Sequence, residues 1–122
     1  MPLTIINAFA SWVLKQRIHQ IELFLKYPKE VQEELLMNLI QSSKNTVLGK
    51  EYDYASIRTY ATFAERIPIS TYEELQPLIE RTRQGEQNVF WEEPIKWFAK
   101  SSGTTNAKSK FIPVRNEALE DC

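Results

Sequence analysis

Apolar side chains recur along residues 4–26 at Ile6, Phe9, Val13, Leu14, Ile18, Ile21 and Leu25. Steps of three and four place them on one stripe of an amphipathic helix. The stretch YPKE then breaks the run, and Pro28 suits the first turn of a second helix, where no amide hydrogen is needed. Val31, Leu35, Leu36, Leu39 and Ile40 supply the second face, which ends near SSKN. Together the two read as a helical hairpin whose stripes cover something beyond themselves.

The pattern changes after residue 45. TVLGKEYDYASI is a connector with Gly49 as its turn, and Ser56–Ala64 reads as a short helix with Tyr60 and Phe63 inward. In RIPIS, Pro68 pushes Ile67 out of the helical region. STYEEL carries a capping-box pattern, with Ser70 or Thr71 as cap and Glu73 or Glu74 as its reciprocal partner. The following helix carries Tyr72, Leu75, Leu78 and Ile79 and stops near Gly85, with Pro77 either kinking it or delaying its start. Residues 95–99 and KFIPV (110–114) read as strands joined by the polar link SSGTTNAKS. The fold class expected is α/β, a helical region 1–85 leading into a strand–loop–strand segment 89–114. At VRNEALEDC, Asn116 caps a helix that has barely begun. The chain is therefore expected to be the N-terminal part of something longer.

Composition narrows the classes. The 122 residues carry 15 basic and 16 acidic side chains, a net charge of −1, and 43% are hydrophobic. That supports a folded core and argues against disorder, nucleic-acid binding and an anionic-membrane partner. Lys15 and Arg17 interrupt the moderately apolar opening well short of a membrane span. Cys122 is the single cysteine, so no internal disulfide forms, and a reducing, cytoplasmic compartment is expected.

The polar link carries the candidate chemistry. Phosphate oxygens need several donors within a small radius. Ser101, Ser102, Thr104 and Thr105 bring hydroxyls, Gly103 lets the backbone approach a ligand, and Lys108 and Lys110 bring positive charge. An ordinary surface turn uses the same residue types. Neither the usual P-loop nor the dinucleotide fingerprint is present. His19 has no nearby nucleophile or metal-binding companion in sequence and reads as a helix-surface residue. The adjacent pairs Glu33–Glu34, Glu73–Glu74 and Glu92–Glu93 point apart on a helix and make no convergent acid–base site. Trp91, Trp97 and Phe98 read as core rather than as a stacking surface for bases.

SSGTTNAKSKFIP resembles the first signature loop of adenylate-forming enzymes. With NTVLGKEYDY, FAERIPISTYEELQPLIERTRQGE and PIKWFAKSSGTT, the whole chain resembles the N-terminal part of acyl acid–amido synthetases related to plant auxin-responsive proteins, including their bacterial branch. The resemblance implies a protein that activates a carboxylic acid with ATP and Mg2+ as an acyl-adenylate and passes the acyl group to an amino acid amine. It implies that Ser101, Ser102, Gly103, Thr104 and Thr105 embrace the triphosphate and that Lys110 is the signature lysine. Asn106 and Ala107 stand where many superfamily members have glycine. The family's adenine and ribose motifs, acyl-acid pocket and mobile C-terminal domain fall beyond residue 122, so this stretch alone is expected to be inactive. A standalone phosphate- or nucleotide-binding module and a structural or interaction domain stay open as alternatives. Unpaired strand edges and apolar helix faces lead to an expectation of self-association.

Overall fold

The computed structural model describes residues 2–103 and 108–120. In chain order it contains α1 (Pro2–Lys26), α2 (Pro28–Ser42), α3 (Val47–Glu51), a 3-10 turn (Tyr54–Ser56), α4 (Tyr60–Arg66), α5 (Tyr72–Arg83), β1 (Trp97–Lys100), β2 (Phe111–Val114) and α6 (Asn116–Glu120). It divides into two compact units, residues 1–36 and 37–122, with the boundary inside α2.

In the first unit the helical hydrogen-bond ladder runs through the expected break. The Tyr27 amide donates to the Leu23 carbonyl at 2.8 Å, and the Val31 amide donates to the Tyr27 carbonyl at 3.1 Å. The expected helical hairpin is therefore corrected. Pro28 removes one donor from the ladder, but Tyr27 keeps helical bonding on both sides, so the chain is not reversed there. Phe9, Trp12, Leu14, Ile18, Ile21 and Leu25 are all exposed along α1, and Phe9 stacks with Trp12 at 6.2 Å between ring centroids. His19 is exposed as well.

The second unit gathers a core from distant segments: Ile40, Ile57, Ile79 and Val89 are buried, with Ile57 and Val89 essentially sealed. Each such side chain contributes about 2 kcal/mol of transfer free energy. Thr46 is sealed among them. Its hydroxyl donates to the Ser43 carbonyl at 2.7 Å and accepts from the Gly49 amide at 2.9 Å, capping α3. The other amides at this helix start are used too, since Val47 and Leu48 donate to the carbonyls of Asn88 (2.8 Å) and Val89 (3.2 Å). Gly49 is thus not a turn residue. It lies inside α3, where an added Cβ would fall 3.0 Å from Lys44 backbone carbons and closer still to the Ser43 carbonyl oxygen.

Two further readings change. The helix expected over 56–64 starts only at Tyr60, capped by Thr59; that phase leaves Tyr60 exposed and Phe63 half-buried, while Ile57 before it is the buried residue. α5 starts at Tyr72 on a capping box between Thr71 and Glu74 and runs through Pro77. Its far end closes on Gly85, at φ +100°, whose amide donates to Thr82 while the Glu86 amide donates to Arg81. That is a Schellman end, which a left-handed glycine makes cheap. Arg81 and Glu86 pair in a fork, both bonds 2.6 Å, across the same turn.

Candidate functional site

The two strands pair antiparallel, Trp97 opposite Val114, Phe98 opposite Pro113, Ala99 opposite Ile112 and Lys100 opposite Phe111. The first strand was expected over 95–99. It begins two residues later because the Ile95 amide is taken by the Gln87 side-chain oxygen at 3.2 Å instead of a strand partner. Phe98 and Trp91 are half-buried, whereas Trp97 is exposed and is not core.

One step beyond the strands, the Ser101 amide donates to the Lys110 carbonyl at 2.9 Å. The Lys110 amide donates in return to Ser101 Oγ at 3.1 Å. Two of the candidate residues, nine apart in sequence, are thereby fixed opposite each other at the mouth of the hairpin. Alternation along a strand puts them on the same face as Ala99 and Ile112. Ser101 is half-buried, while Ser102, Gly103, Lys108 and Lys110 are exposed. Thr104 and Thr105 lie outside the described residues.

Helix α5 braces this hairpin through side chains whose link to the site local sequence reasoning did not find. Tyr72 Oη accepts from the Phe111 amide at 2.9 Å and donates to the Phe111 carbonyl at 3.4 Å. The Lys110 ammonium lies 3.7 Å from Glu73 Oε1 and 5.2 Å from the centre of the Tyr72 ring. Arg83 stacks its guanidinium 3.8 Å from the centre of the Phe111 ring and bonds Glu80 at 3.0 Å, and Lys100 approaches the same ring at 5.8 Å. Three cations thus gather around Phe111 and Tyr72. In the sequence Tyr72 reads as one of the residues this helix carries and Glu73 as a possible cap partner, and neither reading ties them to the hairpin.

An open cleft of about 150 Å³ lies elsewhere in the second unit, lined by Ser42, Trp91, Glu92, Glu93 and Arg115. Arg115 sits 4.5 Å above the Trp91 ring, bonds Glu93 at 3.3 Å and pairs with Glu117. Glu92 accepts from the Asn45 amide at 3.1 Å. The cation of this cleft is engaged by two carboxylates, whereas Lys110 at the hairpin mouth pairs with Glu73. Glu73 and Glu74 diverge as well, one towards Lys110 and the other back to Thr71. Among the described residues, no group of three His, Cys, Asp or Glu side chains could hold a metal ion. No described helix is long and apolar enough to cross a membrane.

A mixed α/β arrangement of helices and one antiparallel strand pair, with a hydroxyl- and lysine-bearing hairpin mouth, is thus the class of structure at hand. Residues 17–122 match the GH3 family N-terminal domain, and the chain belongs to that family. It is 33% identical over 101 residues to the indole-3-acetic acid-amido synthetase GH3.2 of Arabidopsis thaliana, a match covering 82% of this chain and 18% of the relative. It is 30% identical over 104 residues to the jasmonoyl–L-amino acid synthetase JAR4 of Nicotiana attenuata, covering 84% and 18%. Among solved structures it resembles the acyl acid amido synthetase AtGH3.15 in complex with 2,4-DB, with a TM-score of 0.70, 26% identity, and coverage of 76% of this chain and 16% of that one. The chain spans less than a fifth of the length of these relatives. The family resemblance and the α/β class are both borne out.

Proposed function

We propose that this chain is the phosphate-gripping N-terminal part of an ATP-dependent ligase that joins a carboxylic acid to an amino acid through an acyl-adenylate. The observation that carries the proposal is the cross-hairpin pair Ser101–Lys110, which holds the Ser101 hydroxyl and the Lys110 backbone at one mouth, with Ser102 and Gly103 exposed beside them. Family membership supplies the reaction class. A hydroxyl offers one donor and an ammonium three, all suited to phosphate oxygens. Gly103 has no Cβ to hold a ligand away from the main chain. In this role Ser101, Ser102, Gly103 and Lys110, joined by Thr104 and Thr105, orient the triphosphate and balance charge on the departing pyrophosphate. Magnesium enters as the ion that accompanies ATP.

The acyl acid and the amino acid are the proposed substrates of the whole ligase, and the cytoplasm, where ATP is plentiful and thiols stay reduced, is its proposed compartment. The 122-residue stretch by itself is proposed to bind phosphate without forming an acyl-adenylate, since one phosphate grip neither holds the second reactant nor excludes water. Calorimetric titration with MgATP tests this. Saturable binding that pyrophosphate competes away, and that Lys110→Ala weakens at least about tenfold as loss of a charge-assisted contact requires, supports the reading. Binding indifferent to Lys110→Ala, or carboxylate-dependent pyrophosphate exchange by the chain alone, contradicts it.

A further inference from the structure

Lys110 does not stand at the hairpin mouth as a lone cation. Its ammonium is already engaged by α5, 3.7 Å from Glu73 Oε1 and 5.2 Å from the centre of the Tyr72 ring. The engagement is built from both sides. Tyr72 holds the next residue, Phe111, by both its amide and its carbonyl. Ser101 holds the Lys110 amide from across the hairpin. The backbone of Lys110 is therefore fixed while its ammonium has one carboxylate partner among the described residues. Glu74, next in sequence, is occupied by the Thr71 amide and hydroxyl, so Glu73 alone of the two acidic residues is turned to the lysine.

We infer that Glu73 is the resting counter-ion of Lys110 and that a polyphosphate binds at the hairpin by taking the lysine away from it. The inference rests on the phosphate-binding reading above and adds to it a residue that sets selectivity. The Lys110 and Glu73 side chains are 46% and 69% exposed, and so open a pair contributes little in water. A ligand carrying several negative charges outcompetes one carboxylate for the ammonium, whereas a singly charged anion of similar strength does not. Glu73 thus discriminates against carboxylates and monoanions at the mouth and costs the polyphosphate a small, fixed share of its affinity. Exposed pairs of this kind correspond to roughly a two- to fivefold effect.

Two measurements on the full 122-residue chain test the inference. In ligand-free protein with 13C-dimethylated lysines, the Lys110 signal, assigned by its loss in Lys110→Met, is expected to shift in Glu73→Gln. An unmoved signal overturns the pairing without touching the phosphate reading. In calorimetry with MgATP, Glu73→Gln is expected to bind about threefold more tightly than the parent chain. That gain is expected to shrink by more than half in the Lys110→Met background. An equal gain in both backgrounds, or none in either, overturns the exchange and leaves the phosphate reading standing. Absence of saturable binding in the parent chain overturns both.

Discussion

Gly49→Ala sets two effects of opposite sign against each other. Gly49 lies inside α3 with φ outside the left-handed region. Helix propensity alone predicts that alanine stabilises the chain by about 1 kcal/mol. The surroundings predict the reverse. The new Cβ meets backbone on one side, the carbonyl oxygen of Ser43 and the carbons of Lys44, and neither is the free end of a side chain that can swing aside. The Ser43 carbonyl also accepts from the Thr46 hydroxyl and the Thr46 amide, at 2.7 and 3.2 Å. Displacing it far enough to seat the methyl loosens the buried cap of α3. Overpacking costs about 1–3 kcal/mol and loss of a cap about 1. Set against the propensity gain, the balance is a destabilisation of about 1–3 kcal/mol. Urea unfolding followed by tryptophan fluorescence reads this as a lower midpoint at unchanged slope. Gly85→Ala is the control, with open space around its Cβ but φ at +100°, and is expected to lose about 1 kcal/mol through backbone strain alone. A Gly49→Ala chain as stable as the parent, or more so, refutes the reasoning.

Other expectations follow from the same geometry. Thr46→Val keeps the shape of a sealed side chain but strips the Gly49 amide of its acceptor, and is expected to cost about 2–3 kcal/mol in the same urea assay. Tyr72→Phe leaves the ring under Lys110 and removes the hydroxyl that holds Phe111, so hydrogen exchange at the Phe111 amide is expected to accelerate while the core amides are unchanged. The Thr71 amide, and then its hydroxyl, hold the Glu74 carboxyl below its ordinary range. A carboxyl whose folded value is depressed adds stability that is present above its unfolded value, about 4.3, and is lost as pH falls through the folded one. Acid titration of unfolding is therefore expected to show a shallower loss below about pH 4.3 in Glu74→Gln than in the parent chain. Equal slopes contradict the capping box.

What could be read in the sequence was local. The Thr71–Glu74 box, the glycine after α5, each of the two strands and the hydroxyl-rich link are each read from a single short run of consecutive residues. Two local readings nevertheless failed for a physical reason. Pro28 does open α2, as its place in YPKE predicts, but the helical hairpin fails because helical bonding persists through Tyr27. Gly49 reads as a turn in the sequence, but what requires a glycine there is the carbonyl of Ser43 lying against it. Contacts across long separations left no trace in the pattern. Tyr72 and Phe111 are 39 positions apart, as are Asn88 and Val47 within a couple of residues, and no periodicity encodes such pairings. The site was legible to the same degree. Its residue types pointed to phosphate, whereas the counter-ion Glu73 and the brace Tyr72 came only with the packing of α5 on the hairpin.

The most direct test of the account is a 15N–1H NMR titration of the chain with MgATP. The account predicts saturable shifts concentrated at Ser101, Ser102, Gly103 and Lys110, with a smaller response at Glu73. Shifts centred instead on Trp91 and Arg115, or no saturable shift at the hairpin mouth, would contradict it.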